Sequence, residues 1–247
     1  MLIKQKTKLL TIVISFGSLF ISGCGFFTPA PKPDVGPAGK PVEAKSNPPF
    51  MERFQNPPAE MYDMEALAGA IFEGIMKPNL SELQGNLSEL DRKWQTTKDA
   101  IGDKKGVKEA NEALLQLNTA ISAKDADGAY ENLIKFMGSL SDVGKSYKLS
   151  PAADIIGLGN SIRNVSFYVD QKDWKKATAK IKELQNIWQQ AKPSVEQFGI
   201  LGEATRTHSL INQLKDSIEA ENQASAKEHI ADLNESVGYI RQYFRGK

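Results

Sequence analysis

The feature that most limits how this chain can fold is an internal repeat. Four segments carry apolar residues at spacings of +4, +3 and +4: Leu83-Leu87-Leu90-Trp94, Ala129-Leu133-Phe136-Leu140, Ala177-Ile181-Leu184-Trp188 and Ala226-Ile230-Leu233-Val237. Successive copies are offset by 46, 48 and 49 residues. Steps of three and four put each set on one face of an α-helix, and no sustained alternation of period two competes with that reading. A shorter stripe precedes each set: Ala68-Ile71-Ile75, Leu114-Leu117-Ile121, Ile162-Val165-Val169 and Ile211-Leu214-Ile218. A lone amphipathic helix leaves its stripe wet, so a pair of helices repeated four times has to pack against its own copies.

The joints agree with the stripes. Asn79, Asp125, Asp173 and Asn222 fall at one equivalent position, just ahead of the second stripe. Their side-chain oxygens can accept an unpaired N–H at a helix start, so all four read as N-caps. Asn79-x-x-Glu82 adds a capping box. Gly102 to Gly106, Ser150-Pro151 and Lys192-Pro193 mark the boundaries between copies. The predicted helices run over 59–77, 79–100, 105–122, 125–147, 151–169, 173–191, 193–219 and 222–245. The expected fold is all-α, with four αα-hairpin repeats of about 47 residues. They form two tandem up-down four-helix bundles, over 59–149 and 150–247, or alternatively a continuous α-solenoid. The first helix is unusually apolar (Met61, Met64, Leu67, Ile71, Phe72, Ile75, Met76), so it is expected either deep inside or against a partner.

The first 58 residues have a different character. Lys4, Lys6 and Lys8 precede an apolar stretch from Leu9 to Ile21, which is shorter than the ~20 residues a transmembrane helix needs. Ile21-Ser22-Gly23-Cys24 closes it. The arrangement resembles the signal peptide and lipobox of bacterial lipoproteins. That resemblance implies cleavage between Gly23 and Cys24 and attachment of diacylglycerol to the Cys24 thiol. It also implies residence at the cell membrane, lipid-anchored on the extracytoplasmic face. Acyl chains contribute about 0.8 kcal/mol per buried methylene, so several of them anchor stably. Nine of the twelve prolines lie between Gly25 and Pro58, which predicts a disordered, extended tether over 24–58. Loss of the signal segment removes three of the 31 basic residues and leaves 28 against 30 acidic ones.

Composition then narrows the chemistry. A net charge of +1 argues against a nucleic-acid partner held by bulk positive charge, and one Cys excludes a disulfide framework or a thiolate zinc cluster. The two histidines, His208 and His229, fall about 9 Å apart along a hairpin axis, too far to share one metal ion. Gly144-Lys145-Ser146 has only the tail of a P-loop, with Ser139 where a glycine belongs, and no strand precedes it. Asp125-x-Asp127-Gly128 lacks the later ligands of a calcium loop. There is no Gly-x-Ser-x-Gly motif, and Cys24 is committed to lipid. No enzyme activity, metal or cofactor is expected.

Two features remain as candidate contacts. Lys172, Lys175, Lys176 and Lys180 form a basic side of one helix, either simply solvated or facing an anionic headgroup or wall polymer. Trp94 and Trp188 share one repeat position, where the periodicity makes them core residues, and stacking on a ligand is their alternative use. The segment KDWKKATAKIKELQNIW, Lys172 to Trp188, also resembles uncharacterised helical domains in lipoproteins of Gram-positive bacteria; that resemblance implies no activity. The Gly-x-His-x-x-Glu motif of imelysin-type lipoproteins is missing. The expected role is a non-catalytic binding or scaffolding module at the cell envelope, with an envelope protein or wall polymer as partner. The alternative is an accessory lipoprotein that handles a small ligand or metal.

Overall fold

A computed structural model describes residues 48–77 and 83–246. Gly23 and Cys24, the tether up to residue 47, and the Asn79-x-x-Glu82 capping box lie outside the described residues. Among those described, the secondary structure is entirely helical: α1 (Phe50–Arg53), α2 (Ala59–Ile75), α3 (Gln84–Ile101), α4 (Val107–Ser122), α5 (Ala126–Gly144), α6 (Ala152–Asp170), α7 (Trp174–Gln197), α8 (Leu201–Glu219) and α9 (Gln223–Arg245). No described helix is long and apolar enough to cross a membrane.

Every residue of the eight apolar stripes is buried. The stripes meet in two cores. One is built by α2 to α5 around Leu90, Trp94, Leu117, Leu133 and Phe136. The other is built by α6 to α9 around Val165, Ile181, Leu184, Trp188, Leu214 and Leu233. From α2 onward each helix packs against its chain neighbour, and α2 also packs on α5 as α6 does on α9. The two cores interlock, because Ile156 of α6 reaches into the first and Tyr62 of α2 into the second. Helix α2 touches α3, α5, α6 and α9, which explains its apolar composition: neighbours cover it on several sides.

Three of the turns share one design. In each, a residue with left-handed backbone (Lys124, Lys172 or Glu221) stands just before the capping Asx. The amide of that capping residue bonds back five residues, as Asp125 does to Ala120, Asp173 to Tyr168 and Asn222 to Ser217. This is a Schellman closure, which satisfies carbonyls at the end of one helix before the next begins. The cap side chains then accept from Gly128, Lys176 and Ser225. Another closure of this kind, after α7, uses Gly199, which adopts the left-handed backbone at no steric cost.

The described residues correct three boundaries. Helix α7 continues through Pro193 to Gln197 rather than ending at residue 191, and α8 accordingly begins at Leu201 rather than at 193. Pro193 and the Gln189 carbonyl it leaves unpaired both belong to exposed residues, so water can satisfy that oxygen. Meanwhile Trp188, Ala191, Val195 and Phe198 prolong the buried stripe. At α6, Ser150 is one residue early as a cap, although its hydroxyl still accepts from the Ala152 amide at 3.2 Å. The last tether residues belong to the folded unit. Phe54 packs edge-on against Phe198 with ring centroids 5.0 Å apart, and Gln55 exchanges hydrogen bonds with Lys148. Apolar Phe54 gains an aromatic neighbour there, which outweighs the extended tendency of the prolines around it.

Candidate functional site

Buried charge is rare in such a fold, and here it concentrates where α2, α6 and α9 meet. Glu65 on α2 is 2% exposed, and Arg163 on α6 is 4% exposed. Arg163 Nη1 donates to Glu65 Oε1 at 3.0 Å, and Arg241 Nη1 of α9 donates to Glu65 Oε2. One carboxylate therefore joins three helices drawn from both cores. Gly159, one turn before Arg163, permits the approach, since a Cβ there would collide with Glu65 Oε1. Burial pulls the Arg163 guanidinium below its ordinary range, Glu65 opposes that shift, and the like charge of Arg241 adds to it.

The triad is lopsided, with two cations and one anion. Its hydrogen bonding is also unfinished: Arg163 Nε and Nη2 are buried with no protein partner. These two N–H groups point in parallel from one edge of the guanidinium, in the fork geometry that matches a carboxylate or phosphate.

Arg163 and Arg241 line one end of a cleft of about 550 Å³ between α2, α6 and α9. Its middle is small and apolar, with Ala66, Gly69 and Ala70 along α2 facing Ile162 and Ile230. The far end is charged again, with Glu73 and with Asp170 paired to Lys227 at 2.5 Å. A second hollow of about 390 Å³ shares Ala66 and Arg241 and extends to Asp63 and Arg245. There Asp63 accepts from Arg245 Nε and, at 2.9 Å, from Lys93 Nζ; the Arg245 bond first, then Lys93, hold its carboxyl below the usual range. A groove of about 610 Å³ between α4 and α5 is lined instead by exposed Glu109, Glu112, Gln116 and Lys135, and contains no buried charge.

The residues singled out in the sequence lie elsewhere. Trp94 and Trp188 are 0% and 1% exposed, in different cores, so neither can stack on a ligand arriving from solvent. Trp94 stands edge-on to Phe136 and donates weakly to Asn111 at 3.4 Å. The four lysines do not act as one stripe. Lys172 occupies a turn and Lys175 is exposed, whereas Lys176 pairs with Asp173 and Lys180 with Glu183. His208 and His229 are half-buried on α8 and α9, and no group of three or more metal-binding side chains converges among the described residues.

Periodicity missed the triad because it scores apolar faces. One signal was present: Glu65 sits between Met64 and Ala68 on the inward face of the most apolar helix. An acid at such a position demands a buried cation, although only the fold reveals that Arg163 and Arg241 supply it. No family model matches this chain, and no curated protein or solved structure is significantly similar to it.

Proposed function

We propose that this chain is a lipid-anchored protein of the extracytoplasmic membrane face, held at Cys24 and raised on its proline-rich tether, and that it works as a non-catalytic binding module. In this reading the four αα-hairpin repeats form two up-down four-helix bundles, 59–149 and 150–247, and the α2–α6–α9 cleft between them takes a small ligand. The carrying observation is that cleft: both apolar cores are filled by side chains, while the seam between them holds an open hollow with charged ends. The cleft favours a ligand-handling role over a scaffolding one. Among the described residues, the exposed large apolar side chains Leu115, Leu149, Leu201 and Tyr239 belong to four different segments and suggest no broad docking face. Exposed Lys172 and Lys175 remain the side offered to an envelope protein or wall polymer.

Two measurements test this reading. Cys24→Ala is expected to leave the protein unprocessed or released from membranes; a mature, membrane-bound Cys24→Ala product would sink the anchor. Small-molecule extracts of the envelope should raise the melting temperature of the mature protein. No shift with any fraction would remove the binding role.

A further inference from the structure

Resting on the cleft as a binding site, we propose that its ligand carries an oxyanion, a carboxylate or phosphate, on a short apolar body. The oxyanion docks against Arg163 and Arg241. Three observations converge on this chemistry. Arg163 and Arg241 face only one carboxylate, so their end of the cleft has a positive charge to spare. Arg163 is almost wholly buried, yet the paired donors Nε and Nη2 are unspent. A buried donor without a partner is costly, and a small shift of the Arg163 side chain that keeps its Nη1 bond would turn both donors onto one planar anion at this end of the cleft. Beyond the arginines, the wall is apolar and the α2 side is cut down to Ala66, Gly69 and Ala70. A Cβ at Gly69 would meet nothing within 4 Å, so the space above it is open to a ligand body.

The arginines have separate tasks in this arrangement. Arg163 is fixed by Glu65 and sets direction, because its bonded Nη1 leaves the opposite edge in one orientation. Arg241 is 21% exposed at its side chain and so contributes charge nearer the cleft mouth. Glu73 and Asp170 give the far end a negative excess over Lys227, which selects against a second anionic group there.

The test is calorimetric titration of the full mature chain with octanoate, octyl phosphate and octanol. Octanoate or octyl phosphate should bind and octanol should not, and the ratio of the two anions tells carboxylate from phosphate. Arg241→Gln should weaken binding by ~10-fold or more, as expected for loss of a charge-assisted hydrogen bond. Arg163→Lys should weaken it similarly, because an ammonium cannot present a fork. Any variant at 163 risks the fold by disturbing Glu65, so Gly69→Leu provides the independent arm. It fills the cleft without touching the triad, and it should abolish binding while the helical melt is retained. Wild-type affinity in Gly69→Leu overturns the site. Equal affinity for octanol and octanoate overturns the oxyanion while leaving a binding cleft, and silence from both anionic probes overturns the proposal.

Discussion

The two cores and the seam between them are built from the same helices by opposite means. Inside the cores, stripes of Leu, Ile, Val, Phe and Trp close against each other, and polar groups are few. Thr207 and Ser236, one such pair, bond to each other at 2.7 Å and continue to Glu203. Along the seam, polar and directional contacts join the apolar ones made by Ile156, Tyr62 and the stacked Tyr130 and Phe167. Tyr130 donates to Asn164 at 2.7 Å, Asn160 donates to the Ile134 carbonyl, and Glu65 binds two arginines. Apolar packing supplies stability without choosing a unique partner, whereas charged and hydrogen-bonded contacts fix a register. The division suggests that the cores make helices associate and that the seam decides how α2 and α6 sit together.

The largest effect should come from charge placed in a core. Leu133 and Ile181 are buried, one in each core. Leu133→Asp and Ile181→Asp each bury an unpaired carboxylate, which costs several kcal/mol, of order 3 or more. Each variant should lose cooperative thermal unfolding followed by circular dichroism. Retained cooperativity in both would show that the stripes do not close as described.

Next in size is the seam triad, where the expected pattern is different. Glu65→Leu leaves Arg163 buried with no anion beside it, and removing one partner of a buried pair costs about 3–5 kcal/mol. Replacing both, as Glu65→Leu with Arg163→Met, should recover most of that loss, since an apolar pair of similar volume is often neutral and the freed Arg241, 21% exposed, can turn to water. A double-mutant cycle in urea measures the coupling. Additive losses would mean that the two side chains do not depend on each other and that seam and core differ less than the contacts indicate.

The same contrast explains what the sequence made legible. All eight stripes were readable because helical burial writes a period of three to four into apolar residues, and the Asx caps at Asp125, Asp173 and Asn222 sit where a side-chain acceptor is required. Lys192-Pro193 misled because proline ends a helix only where its missing N–H is needed, and on the solvent face of α7 it is not. The triad was hidden for another reason. Its members are separated by 98 and 176 residues, and a charge alone does not state whether it is buried or solvated. Arg163 follows core residue Ile162 and reads as a flank until α2 is laid across it.

The smallest effect sharpens the comparison through pH, because the seam joins helices of both cores through titratable groups. Asp63 of α2 accepts from Arg245 of α9 and Lys93 of α3, and its folded carboxyl is held below the ordinary value near 3.9. A group depressed on folding adds stability while the pH is above its unfolded value, and that contribution disappears as pH falls through the folded one. Asp63→Asn should therefore melt slightly below the wild type at pH 6, by about a degree or two for a loss under 1 kcal/mol. The gap should narrow as pH falls below the ordinary carboxylate value and close once the folded carboxyl is protonated. The wild-type-minus-variant difference isolates Asp63 from Asp142, lowered first by its bond from the Lys145 side chain, and from Asp173, lowered first by its bond from the Lys176 backbone amide. Repeating the series in 1 M salt should shrink the gap at pH 6, since partly exposed pairs are screened. A conservative core change such as Ile181→Val should instead keep a constant offset across the whole pH range. A gap for Asp63→Asn that ignored both pH and salt would place its contribution in packing, and the seam would then be another core.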